Sequence, residues 1–400
     1  MKQLISRIWA VKGRLLASIF LLLFLGLNWL WMDFRNFMTT PLDLTQYQKT
    51  FIIKKGASIH RLARYLQQAK VIKHQNYLKL LAYWNPDYQK LKAGQYAIND
   101  SLTPVELLQQ LTRGVVVQYP FTIIEGQTIY QVLENLKNIQ DILPLEDHQL
   151  KQLAQTIRHD QGLLAQQLPG QTIIINDYAA LEGWFLPETY NYSQGDTALS
   201  ILKRAYSSMR LHLNEEWQSR DLVLPYKTPY DTLIMASIIE KETGIAKERA
   251  RIAGVFVRRL QKRMRLQTDP TVIYGIGPSF NGNITKRDLK RLTPYNTYRV
   301  KGLPPTPIAM PSLASIKAAL HPSDEKVLYF VADGTGGHYF SETLEEHLKA
   351  VRRMITASRK KTLTDTCINI FTYTDVEIEA VGFQLIYFPC GQAKNIFTSQ

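Results

Sequence analysis

Phe51-Ile-Ile-Lys-Lys-Gly-Ala-Ser-Ile59 returns further along the chain as Phe121-Thr-Ile-Ile-Glu-Gly-Gln-Thr-Ile129. In both copies alternating apolar residues predict a strand, Gly56 or Gly126 permits a tight turn, and Ser58 or Thr128 is placed to cap a following helix. After the first copy Leu62, Ala63 and Leu66 share a helix face, and Leu91 to Ile98 reads as a turn and a strand. Leu107, Leu108 and Leu111 then make another helix, ending at Gly114. Strands and helices mix over short spans with Pro and Gly between them, so the expected fold class is α+β. A small βα module should precede a larger mixed α/β domain.

The chain upstream predicts where these domains sit. Leu15 to Met32 is eighteen residues without a charge, just enough at about 1.5 Å per residue to span a bilayer core. A cleaved signal peptide is the rival reading, but it needs a small-x-small site, and Trp29, Trp31 and Phe34 crowd that position. Residues 15–32 are therefore expected to be an uncleaved transmembrane helix. Lys2, Arg7, Lys12 and Arg14 precede it, which keeps residues 1–14 cytoplasmic and sends the rest across the membrane. Residues 33–48 read as a linker. Residues 49–115 are similar to a LysM-like carbohydrate-binding module, although such a βα unit is structural at least as often as it binds sugar.

Composition narrows the function. Of 400 residues, 45% are hydrophobic and 20% charged, which excludes a globally disordered chain. Lys and Arg total 48 against 34 acids, a net charge of +14, but the basic residues are scattered and no nucleic-acid motif organises them. Anionic lipid or an anionic polymer suits the charge better than nucleic acid. Cys367 and Cys390 cannot build a disulfide scaffold, and neither Cys-x-x-Cys nor His-Glu-x-x-His occurs, so no metal site is expected. The eight histidines fall singly, and His321 and His338 read as structural.

The second half carries the chemically suggestive stretches. Residues 137–175, rich in Gln and Leu, read as a helical insertion. Leu181-Glu-Gly-Trp-Phe-Leu-Pro-Glu-Thr-Tyr190 sets carboxylates beside aromatics, as sugar sites do, and reads equally as a hydrophobic turn with solvated acids. Asp231 or Thr232 can cap a helix through Leu233 to Thr243, with Gly244 as its stop. On that helix Glu240 shares a face with Leu233, Ala236 and Ser237, so a carboxylate enters a mostly apolar environment, which favours the protonated form a general acid needs. Glu242 lies about 200° further round, so the two cannot serve one site. The alternative is that Glu240 caps or bridges within the core. A scaffold helix follows, with Ile252, Phe256 and Leu260 in line and Arg258, Arg259 and Lys262 outside. Leu266–Gly275, Pro294–Tyr298 and Gly302–Ile308 then offer amides, hydroxyls and aromatics on rigid turns, suited to sugar groups and not to phosphate.

Taken together, these motifs resemble the endolytic murein transglycosylase MltG (YceG-like) family, from the anchor to about Val351. The marks are Leu181-Glu-Gly183 with Pro187-x-Thr-Tyr190, Ala236-Ser-Ile-Ile-Glu-Lys-Glu-Thr243, Gln267-Thr-Asp-Pro-Thr-Val272, Tyr295-Asn-Thr-Tyr298, Gly302-Leu-Pro-Pro305, His321-Pro322, and Tyr329–Ala332 with Gly337-His338. The resemblance implies a YceG-like catalytic domain at 116–357 and makes Glu240 the catalytic residue. It implies cleavage of the β-1,4 bond between N-acetylmuramic acid and N-acetylglucosamine in nascent strands, leaving a 1,6-anhydro end and terminating strand elongation. Supporting substrate contacts are assigned to Glu182, Gln267, Thr268, Asp269, Tyr295 and Asn296. No cofactor or metal is implied. Glycan strands and the membrane are the expected partners, with peptidoglycan synthases suggested beside them and no nucleic acid. The expected location is the bacterial inner membrane, with the bulk of the chain extracytoplasmic.

Departures from the family pattern are Glu188 for Asp, Thr306 for Gly, Met310 for Asn and Leu348 for Asn. Met310 is the one expected to alter a glycan contact. Residues 358–400 extend past the resemblance and hold both cysteines, leaving a disulfide open. A membrane-tethered peptidoglycan-binding scaffold without catalysis remains the alternative function. Ser-x-x-Lys occurs at Ser200, Ser323 and Ser358, but without a Ser-Asp-Asn or Lys-Thr-Gly partner it does not make a serine acyl-enzyme.

Overall fold

A computed structural model describes residues 2–44, 50–97, 101–139, 142–161, 166–168, 171–173 and 176–365. Cys367 and Cys390, with most of the expected extension, lie outside the described residues. The chain is mixed α/β and divides into two compact units. One is residues 1–120 with 191–196, and the other is 121–190 with the described residues from 197 onward. The border falls at 120/121, not at 115/116.

The first unit opens with α1 (Lys2–Thr39), and its segment Gly13–Thr39 is long and apolar enough to cross a membrane. These 27 residues would reach about 40 Å, more than the ~30 Å of a bilayer core. The surplus has a partner, and it corrects the reading of 33–48 as a linker. Phe34, Leu42 and Leu44 are buried in the core of this unit. The Phe34 ring packs edge-on against Tyr77 and Trp84, and the Tyr77 hydroxyl donates to Asp33 at 2.7 Å. A helix end that buries a large aromatic cannot act as a slack tether.

The core receiving it is built from β1 (Thr50–Ile53), α2 (Ile59–Gln68), α3 (Gln75–Trp84), β2 (Gly94–Ala97) and α4 (Pro104–Arg113). β1 and β2 pair antiparallel, Thr50 opposite Ala97 and Ile53 opposite Gly94. Ser58 caps α2 as expected by accepting the Arg61 N–H, and Ile59, Leu62, Ala63 and Leu66 form its buried face. Thr103 and Glu106 form a capping box on α4, which ends at Gly114 in the left-handed region.

β3 (Tyr119–Thr122) leads into the second unit. There follow α5 (Ile129–Lys137), α6 (Asp147–Gln161), an antiparallel pair β4 (Gln166–Leu168) and β5 (Gln171–Ile173), α7 (Asp177–Leu181) and β6 (Thr189–Tyr192), which pairs with β3. The expected helical insertion is thus a helix followed by a small hairpin. The remaining elements are α8 (Ala198–Gln218), α9 (Pro229–Glu242), α10 (Arg249–Gln261), α11 (Asp269–Ile276), α12 (Lys286–Lys290), α13 (Leu313–Leu320), the hairpin β7 (Tyr329–Ala332) and β8 (His338–Ser341), and α14 (Leu344–Asp365).

α9 is the axis of this unit. Every residue from Thr232 to Ile239 is buried, because α8, α10, α11 and α13 all pack on it. Its cap is Thr228, which accepts the Asp231 N–H, and not Asp231 or Thr232; Asp231 sits at the third helical position and completes a capping box. The helix ends at Thr243 with extended backbone and does not use Gly244 as a left-handed stop. α10 also departs from expectation. Arg258 donates to the Ser323 and Val327 carbonyls and the largely buried Arg259 to Leu266 and Leu328, so these arginines stitch the helix to a neighbouring loop. Gly254 makes the approach possible, since a Cβ there would stand 2.5 Å from the Ser323 carbonyl oxygen.

Candidate active site

Glu240 lies in the last turn of α9, where the buried helix emerges. Its side chain is 5% exposed, yet it is not in the apolar setting expected. The Ser312 N–H donates to Oε2 at 2.8 Å and the Ser312 hydroxyl donates to the same oxygen at 2.5 Å. Ser312 is also the cap of α13, so both donors sit at the N-terminus of that helix. Nη2 of Arg249, the first residue of α10, stands 4.0 Å from Oε1. Among the described residues Oε1 accepts no hydrogen bond, and the buried Arg249 Nε has no partner. One carboxylate oxygen is held by two donors and the other stands beside Arg249.

The turn Ile124 to Thr128 covers the other side. Gly126, at φ 73°, faces the Glu240 Cγ and the Lys241 side chain, and the Lys241 ammonium donates to the Gly126 carbonyl at 3.1 Å. Burial pulls the Lys241 pKa below the ordinary lysine value, against the opposing pull of Glu240 and Glu182. The turn is tied to the loop before α13, with Gly126 donating to the Met310 carbonyl at 2.9 Å and Met310 donating back to Gln127 at 2.7 Å. The Ser237 hydroxyl, one turn before Glu240, receives the Ile308 N–H and fixes the same loop to α9.

Glu242 turns to other partners. The buried Glu242 carboxylate accepts the Thr268 hydroxyl, and burial pushes it up to about 7. Thr268 is thus covered and its hydroxyl spent. Asn296 is buried as well, its amide donating to the carbonyls of Asp288, Leu289 and Arg291 at the C-terminal end of α12 and accepting the Tyr298 N–H. Glu182 is fully buried and accepts the Ile129 N–H at 3.0 and 3.2 Å and the Tyr274 hydroxyl at 3.0 Å. Burial outweighs these donors and pushes its carboxyl up to about 8. Asp269 is half-buried, accepts the Tyr298 hydroxyl at 2.6 Å and is also raised by burial. Tyr295 is half-buried with its hydroxyl on Thr306 at 2.8 Å, and its phenol is pushed up to about 12 by burial. Gln267 is exposed, with a backbone φ of 54°.

A family model described as the YceG-like family matches residues 51–353. The chain belongs to this family. The endolytic murein transglycosylase of Bacillus subtilis (strain 168) is 31% identical over 321 residues, covering 77% of this chain and 85% of the relative. A protein of the same name from Streptococcus pneumoniae serotype 2 (strain D39) is 28% identical over 330 residues, and the aligned part spans 58% of its length. The crystal structure of a YceG-like protein from Listeria monocytogenes is 30% identical, with a TM-score of 0.47 over 75% of this chain and 98% of that one.

The YceG-like motifs divide by what they do. In Leu181–Leu186 every residue is buried, so this stretch is core and not a sugar-holding surface. Trp184 stacks on Tyr230 at 5.7 Å and 7°, and Gly183, at φ 79°, stands where a Cβ would meet Pro307 at 2.5 Å. Two departures from the YceG-like pattern are also core positions. Met310 is fully buried, contrary to the expected glycan contact, and Thr306 is fully buried against Tyr295. His321 and His338 pair with Asp221 and Glu248 at 2.8 and 2.7 Å. Among the described residues no group of three or more His, Cys, Asp or Glu is arranged to hold a metal. Sequence reasoning missed Ser312 and Arg249, and read the Gly126 turn without placing it against Glu240. Ser312 before Leu313–Leu320 carries a readable cap signal, but nothing local says that the same hydroxyl also serves a carboxylate on another helix.

Proposed function

We propose that this chain is an endolytic murein transglycosylase that uses Glu240 as both general acid and general base. The observation carrying this is the asymmetric hold on Glu240: Ser312 binds Oε2 with two donors, while Oε1 is left beside Arg249. Protonated Glu240 gives its proton to the glycosidic oxygen as the bond from C1 of N-acetylmuramic acid breaks and positive charge grows at C1. The C6 hydroxyl of the same sugar then bonds to C1, and its proton returns to the Glu240 carboxylate. A 1,6-anhydro ring closes and no water is consumed. Because the nucleophile belongs to the substrate, one carboxylate does the work that hydrolases divide between two. The Ser312 donors and Arg249 hold the carboxylate in position while its charge changes.

The supporting residues take two roles in this reading. Exposed Gln267, with the half-buried Asp269 and Tyr295, contacts the glycan, whereas Glu182, Thr268 and Asn296 hold the loops that carry those contacts. The strand–helix–helix–strand order and antiparallel β1–β2 pair support the LysM-like reading of residues 49–115, as a grip on the strand. α1 is a single-pass anchor with its basic N-terminus in the cytosol and the chain that follows it outside the membrane. Held there, the enzyme cuts strands where membrane-borne synthases extend them, which makes those synthases its partners.

The test is mass spectrometry of uncrosslinked glycan strands incubated with the full chain in nanodiscs, beside Glu240→Gln. The expected products end in 1,6-anhydro-muramic acid, one water lighter than hydrolytic ends, and disappear with the variant. Reducing ends would overturn the transglycosylase, and cleavage retained by a folded variant would remove Glu240 from the mechanism.

A further inference from the structure

Tyr130 and Tyr178, the second residues of α5 and α7, stack with ring centroids 5.1 Å apart and planes 17° apart. They remain 47% and 37% exposed. A scaffold ring pair in this unit looks different: Trp184 and Tyr230, stacked even flatter at 7°, are 0% and 4% exposed. A stacked aromatic pair left in water is a surface with unused area.

What holds the pair in place is the buried Glu182. It directly follows α7 and accepts the first N–H of α5, so one carboxylate joins the two short helices that carry the rings. Its Oε2 also takes the Tyr274 hydroxyl, and the Tyr274 ring lies 5.0 Å from Tyr295. Tyr274 thus touches the acid and carries Tyr295 with it. The same α5 begins just after the turn whose Gly126 faces the Glu240 Cγ, so the helix that carries Tyr130 starts beside the site.

We infer that Tyr130 and Tyr178 form a stacking platform for a pyranose ring of the glycan strand, a binding subsite beside Glu240. The negative ring face attracts the polarised C–H bonds of a sugar's apolar face, so the ring and not the phenol hydroxyl carries the contact. Rings already packed on each other lose little side-chain freedom when the sugar arrives. The platform rests on the murein reading only for the identity of the sugar.

The test uses the full chain in nanodiscs. An N-acetylglucosamine oligosaccharide is titrated calorimetrically into Glu240→Gln, alone and combined with substitutions at Tyr130 or Tyr178. Tyr→Phe keeps the affinity, while Tyr→Ala and Tyr→Leu each weaken it roughly tenfold. Leucine keeps apolar bulk and loses the ring face, which separates stacking from burial. With Glu240 intact, the same Ala variants raise KM for strands and leave kcat within about threefold. Ala and Leu variants that melt and bind like the parent overturn the platform, as does a parent that binds no oligosaccharide. A wild-type chain that binds through the tyrosines without cutting leaves the platform standing and removes the catalytic assignment.

Discussion

Glu240 and Glu182 both sit in motif-dense stretches of one unit, and their surroundings make them opposites. Glu182 is enclosed, with donors on both oxygens and burial pushing its carboxyl up to about 8. Glu240 is nearly covered too, but its donors gather on one oxygen at the end of a helix. A carboxylate whose oxygens are both occupied holds structure together, and one with a free oxygen can exchange a proton. Burial does not separate the two roles; the distribution of donors does.

The comparison breaks most readily at Glu182. Glu182→Ala orphans the Ile129 N–H and the Tyr274 hydroxyl and leaves a cavity, so it should cost about 3 kcal/mol of stability, whereas Glu240→Gln should stay within about 1 kcal/mol. Denaturant midpoints of the two variants check this, and equal losses would erase the distinction. Ser312→Ala removes one donor from Glu240 and should slow strand cleavage roughly tenfold or more with KM little changed, alongside about 1 kcal/mol lost from the α13 cap. A variant with normal kcat would show that the Ser312 hydroxyl serves only its helix.

A pH series sharpens the difference further. Glu182 and Glu242 have folded-state values raised to about 8 and about 7 from 4.5, so the native state binds their protons more tightly than the unfolded chain. Their contribution is fully present below pH 4.5 and is lost as pH rises through 7 and 8. Glu182→Gln should flatten the upper part of that decline in melting temperature, and an unchanged slope would contradict the buried-acid assignment. The smallest effect belongs to Thr306→Gly, which loses the Tyr295 hydrogen bond and should cost about 1 kcal/mol while leaving the cleavage product unaltered. A changed product would return position 306 to the glycan site.

Much of the fold is legible along the chain. The strand–turn–helix copies at 51–59 and 121–129 appear as β1–α2 and β3–α5, because period-two and helical patterns are local consequences of which face is buried. The apolar N-terminal helix is equally plain from composition, but its docked end is not, since Phe34 finds Tyr77 and Trp84 only in three dimensions. Arg258 and Arg259 read as solvent-facing because a sequence cannot show carbonyls arriving from a distant loop.

The candidate site was legible in Glu240 and not in the groups that hold it. Glu240 stands out as an acid that shares a helix face with Leu233, Ala236 and Ser237, and the ordered motifs around it identify the YceG-like family by sequence alone. Which polar motif residues face substrate was decided by packing. Glu182, Thr268 and Asn296 turned inward because buried backbone and side-chain groups elsewhere needed partners. Ser312, Arg249, Tyr130 and Tyr178 came to the site from separate elements, and no local pattern records which helix ends will meet. Sequence by itself determined the elements, the apolar anchor segment and the family; the tertiary structure decided which carboxylate keeps a free oxygen, because that depends on donors brought together across the chain.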